Sequence, residues 1–183
     1  MVPNKHLNAG GWATSFARVQ PLSEKDIRGS FVNCSKGEAQ RMNVPRDLAD
    51  LDWETRDFLG WRDPGAPERA YLIAERTGGL TGVALRAAPA GKRGFTSRSM
   101  CSLCLTTRTA GGVTLMTARR AGPAGRQGNS VGQYLCTDLA CSLYARGLRA
   151  PAAGADLDES LSAADKIARM LANLDTFLDQ VTR

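Results

Sequence analysis

The sequence predicts an α+β fold: a small helical N-terminal region, β-hairpins around a cysteine-clamped finger, and a C-terminal amphipathic helix. Three observations carry this reading. Cys101-Ser102-Leu103-Cys104 and Cys136-Thr137-Asp138-Leu139-Ala140-Cys141 form two close cysteine pairs, C-x2-C and C-x4-C. Short β-branched and apolar runs flank glycine-rich turns before and between those pairs. Near the end, Ile167, Met170, Leu171, Leu174, Phe177, Leu178 and Val181 recur at helical spacing, a stripe expected to pack into a core.

In chain order, residues 1–20 carry Gly10-Gly11 and little periodicity, and read as a loose arm that Trp12 and Phe16 could dock. Ser23 ahead of Glu24 and Asp26 marks a helix start, because acids suit the positive N-terminal end, and Ile27 with Phe31 supplies its apolar face. Ser35-Lys36-Gly37-Glu38 is a capping-box pattern opening a second short helix that must stop near Pro45. A third helical stretch is expected over 52–60, capped by Asp52 and ended by Gly60. The aromatics Trp53, Phe58 and Trp61 crowd this stretch, and at least two of them are assigned to the core rather than to a partner surface.

Asp63-Pro64-Gly65-Ala66-Pro67 is a turn by composition, after which Tyr71–Ala74 and Leu80–Leu85 flank Thr77-Gly78-Gly79 as a hairpin. Gly82 inside the second strand marks an expected bulge. Residues 87–99 are a basic loop leading to Cys101. Val113–Thr117 and Val131–Leu135 are strands joined by a glycine-rich turn from Gly122 to Gly128, and Asp138 opens a helical stretch to Arg146 with Gly147 as its stop. Knuckle, hairpin, strand and helix in this order resemble a treble-clef zinc finger. Residues 151–155 are a small linker, and Ser162 with Asp165 caps the last helix. Two regions are expected: 1–65, arm and short helices, and 66–183, a β-rich treble-clef domain with the C-terminal helix.

The first thirty residues lack a signal-peptide pattern and no run of 18 apolar residues occurs, so a cytoplasmic protein without a membrane span is expected. In a reducing compartment such cysteine pairs bind metal more often than they form disulfides. Cys101, Cys104, Cys136 and Cys141 are therefore the candidate ligands of a structural Zn²⁺, which favours a closed tetrahedron of thiolates. A redox C-x2-C is the competing reading, but it leaves Cys136 and Cys141 without a role. A catalytic zinc would keep an open position and use His, Asp or Glu ligands. His6, the one histidine, lies in the arm, so Ser and Cys lack a natural general base, and Asp50 and Asp52 read as solvated surface acids. Gly122-Pro123-Ala124-Gly125-Arg126 lacks the Lys-Ser/Thr of a phosphate loop. An enzyme is not expected. Cys34 stands alone, and the sequon Asn33-Cys34-Ser35 carries no meaning without secretion.

Charge is distributed unevenly. Residues 86–149 hold ten Lys or Arg against one acid, Asp138, whereas residues 1–85 are balanced at eleven each. A tetrathiolate zinc site offsets part of that excess, and the rest points to an anionic partner, an acidic protein face or nucleic acid. The candidate partner-binding residues are Arg108, Arg119, Arg120, Arg126, Arg146 and Arg149. Nucleic-acid binding usually adds aromatics for stacking, and here there are only Phe95, Tyr134 and Tyr144.

The stretches Ser30–Ala39, Asp57–Asp63, Met100–Cys104 and Gly132–Cys141 resemble the FusB-type elongation-factor-G-binding proteins in their actinobacterial form, a likeness spanning about residues 22–180. The resemblance implies a small helical N-terminal part joined to a treble-clef domain with Cys101, Cys104, Cys136 and Cys141 as zinc ligands. It also implies a non-enzymatic role, binding elongation factor G and promoting its release from the ribosome, which protects translation from fusidic acid. The helical region before the first hairpin is shorter than the four-helix bundle of the staphylococcal members. A monomer is expected, and direct binding of ribosomal RNA or the ribosome by the arginine face is the alternative.

Overall fold

The computed structural model describes residues 18–89, 98–109, 111–151 and 159–183. Residues 1–17 of the expected arm, with Trp12 and Phe16, lie outside these, as do Phe95 and residues 152–155 of the linker. Two short helices come first, α1 (Glu24–Gly29) and α2 (Lys36–Arg41). Six residues are too few for a helix to persist alone, and each is closed by a full capping box. The Asp26 N–H donates to the Ser23 hydroxyl (3.2 Å) and the Ser23 N–H to the Asp26 carboxylate (3.1 Å); Ser35 and Glu38 repeat the exchange at 3.2 and 2.8 Å. These bonds hold both carboxyls below the ordinary range. Arg28 then joins the helices, its Nη1 donating to the carbonyls of Ala39 (2.6 Å) and Gln40 (2.8 Å) at the C-terminal end of α2.

The stretch 52–60 is not a helix. A single 3-10 turn at Trp53–Thr55 gives way to a strand, β1 (Leu59–Asp63), in which Leu59, Trp61 and Asp63 are buried and Gly60 and Arg62 are half-buried. Phe58 and Trp61 are core residues, and half-buried Trp53 donates its Nε1–H to the Leu48 carbonyl at 3.0 Å.

β2 (Ala66–Arg76) and β3 (Gly79–Ala87) form the expected hairpin and extend it. Gly82 makes no bulge; it pairs in register with Ile73. Its missing side chain instead lets the segment after α1 lie against the sheet, since a Cβ there would sit 2.4 Å from the Ser30 hydroxyl. A ribbon of β4 (Ser99–Met100) and β5 (Thr107–Arg108) follows, then β6 (Val113–Arg119), α3 (Gly122–Arg126), β7 (Ser130–Cys136), α4 (Cys141–Ala145) and α5 (Ala163–Thr182). The expected turn at Gly122–Gly128 thus contains one turn of helix, started by Pro123. Gly125 is obligatory there, because a Cβ would lie 1.7 Å from the Arg120 carbonyl oxygen. The helix expected from Asp138 begins only at Cys141, and Gly147, at φ +70°, stops it as expected.

Strands β1-β2-β3-β6-β7 form one antiparallel sheet in that order. One face, with Leu72, Val83, Met116 and Leu135, packs on Met170, Leu174, Phe177, Leu178 and Val181 of α5 and on the cysteine-bearing segments. Those five α5 residues are fully buried, each worth about 1.5–3 kcal/mol of transfer free energy. Arg76 of β2 also grips α5 through Asp175 and Asp179. The opposite face is covered by α1, α2 and the loop that follows them over Leu59, Trp61, Tyr71 and Ile73, with Leu80 and Ala84 of β3 at the edge.

Asn33 does the work of a strand residue beside β3. Its Oδ1 accepts from the Ala84 N–H (2.8 Å), and its Nδ2 donates to the carbonyls of Ala84 (2.9 Å) and Arg119 (3.0 Å). Asn33→Ala leaves three backbone groups short of partners, and we expect a loss of about 2–3 kcal/mol in urea unfolding, against a few tenths if water replaces the amide. Adjacent Cys34 is a half-buried thiol pushed up to about 11 by burial and by the Glu38 charge. It is neutral at pH 8. Iodoacetamide labelling followed by mass spectrometry should therefore be slow at pH 8 and accelerate steadily towards pH 11; full labelling within minutes at pH 8 would contradict this environment.

Candidate metal centre

Each cysteine is placed by a different local device. Cys101 and Cys104 sit in the turn between β4 and β5, where the Cys101 N–H donates to the Thr106 carbonyl (3.1 Å) and the Leu105 N–H to the Cys101 carbonyl (3.0 Å). Cys136 ends β7, and Cys141 is the first residue of α4. A bond from the Ser102 N–H to the Tyr134 carbonyl (2.7 Å) holds the first knuckle against β7.

Four sulfurs converge. Cys101 and Cys141 are 3.7 Å apart, Cys104 and Cys136 are 3.6 Å apart, and all four lie within 4.8 Å of one another. A tetrahedron with Zn–S bonds of about 2.3 Å requires sulfurs about 3.8 Å apart, so the spacing fits zinc. All four are buried, and the donor set is all thiol, which closes the shell against substrate. Bonds from Cys104, Cys136 and Cys141, including the Cys104 backbone N–H, hold the Cys101 thiol far below its ordinary range. Cys136 and Cys141, hydrogen-bonded to the Cys101 and Cys104 sulfurs, are pushed far above theirs. Such a cluster gives up all its protons only to a cation that replaces them.

Two knuckle residues have left-handed backbones, Leu105 at φ +58° and Leu139 at φ +52°. For an L residue with a branched side chain this costs about 1–2 kcal/mol. Leu139 gains burial in exchange, and its Cβ lies against β1, where a Cβ on Gly60 would approach it to 2.6 Å.

Beside the sulfurs lies a polar hub. Asp138 accepts from Arg108 Nη1 (3.2 Å), the Tyr144 hydroxyl (2.7 Å), the Ala140 N–H (3.2 Å) and Arg149 Nη1 (3.3 Å), and the Arg108 guanidinium stacks 4.5 Å above the Tyr144 ring. Burial opposes ionisation of Asp138, yet the Tyr144 and Ala140 hydrogen bonds and the Arg108 charge outweigh it and lower its pKa. Arg146 is bound internally as well, donating to Asp57 (2.6 Å) and to the Thr55 carbonyl (3.0 Å), while the Asp57 N–H donates to Ser142 Oγ (3.0 Å).

The six candidate arginines therefore fall into two groups. Arg108, Arg146 and Arg149 stand at the zinc end, each in an ion pair. Arg119, Arg120 and Arg126 bracket the far end of the β6–β7 hairpin, six residues of strand away from the Val113–Cys136 pair, or about 20 Å. Among the described residues these three make no ion pair. The acidic partners Asp57 and Asp138 were not candidates from sequence, although Asp138, the one acid among residues 86–149, was conspicuous there.

Knuckle, hairpin and helix closing on four buried thiols define a treble-clef zinc-binding protein. Residues 26–181 match the family model of the FBP C-terminal treble-clef zinc finger, and the chain belongs to that family, in agreement with the FusB-type resemblance. No curated protein and no solved structure matches it.

Proposed function

We propose that this protein binds elongation factor G and promotes its release from the ribosome, acting in the cytoplasm as a zinc-stabilised monomer that protects translation from fusidic acid. Membership of the FBP family is the observation that carries this reading. The exposed Arg119 and Arg126, with half-buried Arg120, supply the first contact with an acidic face, and Arg149 adds a second basic point. Arg108 and Arg146 contribute by holding the finger in shape. Charges of this kind raise the association rate, and a few apolar anchors set the lifetime of the complex. Among the described residues no helix is long and apolar enough to cross a membrane.

Calorimetry of the zinc-loaded protein against its own elongation factor G at low salt tests the proposal. Submicromolar binding is expected, weakened about tenfold when Arg119, Arg120 and Arg126 are all changed to Ala; absence of binding ends the proposal. Ten basic residues against one acid over 86–149 keep ribosomal RNA as the second reading. That reading requires affinity for RNA falling steeply with salt through counterion release, and tight binding to elongation factor G without RNA would displace it.

A further inference from the structure

The part of the sheet that α1 and α2 leave uncovered carries a second group of arginines, separate from the zinc end. A cleft of about 510 Å³ lies between α2 and strands β2, β3 and β6, lined by Arg41, Arg69, Arg86 and Arg119, with Glu38 as the one carboxylate in its wall. Arg69 and Arg86 are direct cross-strand partners, and Arg86 in turn pairs with Thr117. Arg119 is two residues beyond Thr117 and thus on the same face. Like charges directly opposite on a sheet are destabilising, and in the cleft only Glu38, which lies within the field of Arg119 and Arg41, offsets them. Among the described residues Arg41, Arg86 and Arg119 form no ion pair, and Arg69 reaches exposed Glu68 at 3.8 Å and the Tyr71 hydroxyl. Glu38 is already engaged by the Ser35 N–H (2.8 Å) and hydroxyl (2.7 Å).

We propose that this cleft binds a small polyphosphate-bearing ligand. Arg69 and Arg86 stand about 5 Å apart at their Cβ atoms and Arg119 about 7–8 Å from Arg86 on the next strand, and a single carboxylate cannot neutralise the three guanidiniums. A phosphoryl group carries up to two charges on oxygens that match the guanidinium fork, and linked phosphoryl groups concentrate several charges in one place. The volume suits a small molecule, and buried Met42 and Tyr71 give the cleft an apolar floor. Single-stranded nucleic acid is disfavoured because it needs an open aromatic face for its bases. Tyr71, the cleft's aromatic, has its ring packed against Trp61 (centroids 5.0 Å apart) and Phe31 (5.8 Å).

Calorimetry of the full zinc-loaded chain tests this with tripolyphosphate, citrate and a short single-stranded oligouridylate as probes. Tripolyphosphate is expected to bind one to one with a Kd on the order of 100 μM, about tenfold tighter than citrate. Arg69→Gln and Arg86→Gln should each weaken it about tenfold, whereas Arg183→Gln, which removes an exposed arginine at the C-terminus, should leave it unchanged. Without ligand, Arg86→Gln should melt about 1–2 °C higher, because it relieves the repulsion with Arg69. Three results overturn the proposal: no tripolyphosphate binding, citrate binding as tightly, or an equal loss in Arg183→Gln. Oligouridylate binding that tripolyphosphate does not displace would also overturn it, by assigning the arginines to a nucleic-acid face.

Discussion

Cys136→Ser is expected to abolish zinc binding and to unfold the finger across residues 86–150. A serine hydroxyl does not ionise at neutral pH and is a poor zinc ligand, so the closed tetrahedron of four buried sulfurs loses a corner. Structural zinc contributes about 10–16 kcal/mol of folding free energy in small fingers, comparable to the whole stability of an ordinary domain, about 5–15 kcal/mol. The loss spreads because Leu135, Leu139 and Tyr144, flanking the ligands, belong to the same core as Leu174 and Phe177 of α5. Zinc content by a chromophoric chelator and amide exchange across β4 to α4 read the two effects separately. A metal-free variant with native exchange protection would refute a zinc-dependent fold.

Arg146→Ala is expected to cost about 3–5 kcal/mol at pH 7, because it strands a buried carboxylate without its counter-charge, and to lower the melting temperature by about 10 °C. The Asp57 side chain is 5 % exposed and the Arg146 side chain 18 %, so solvent does little to replace the pair. The pH dependence identifies the cause. Burial already raises the Asp57 pKa above 3.8 despite the attraction of Arg146, and removing Arg146 raises it further. A carboxyl with a raised folded pKa holds its proton more tightly when folded than when unfolded. Its penalty is therefore full at pH 7 and is relieved as pH falls towards the folded pKa. The deficit relative to the parent protein should be clearly smaller at pH 5 than at pH 7, and Asp57→Asn in the Arg146→Ala background should recover much of it. An equal deficit at both pH values, without rescue, would assign the effect to lost packing of the arginine stem.

What the sequence disclosed was whatever depends on near neighbours. Cysteine spacing identified the zinc ligands, Ser23 and Ser35 marked both capping boxes, and the stripe from Ile167 to Val181 located α5 with its buried side. The errors arose where local signals competed with distant contacts. Over 52–60, Asp52 and Gly60 resemble a helix's start and stop, yet Leu59, Trp61 and Asp63 alternate with Gly60 and Arg62, and pairing with β2 decides for the strand. Gly82 looked like a bulge because a glycine within a strand signals either a bulge or a close backbone approach, and only the position of Ser30 tells them apart. Arg69 and Arg86 are seventeen positions apart in the chain, and no periodicity shows that they face each other until the register of β2 and β3 is known. Arg146 has the same character, since its acid partner is 89 residues away.

The contact between Gly60 and Leu139 restricts how this sequence can change over time. Gly60→Ala alone drives a methyl group to 2.6 Å from the Leu139 Cβ and 3.1 Å from its carbonyl oxygen, so the first step is deleterious while leucine stays in place. Leu139→Gly relieves a left-handed backbone and opens space for the methyl, at the expense of a buried side chain. The effect of an alanine at Gly60 thus depends on which residue occupies Leu139. Strand β1 and the second zinc knuckle are thereby coupled, so that substitutions at Gly60 and Leu139 do not add independently.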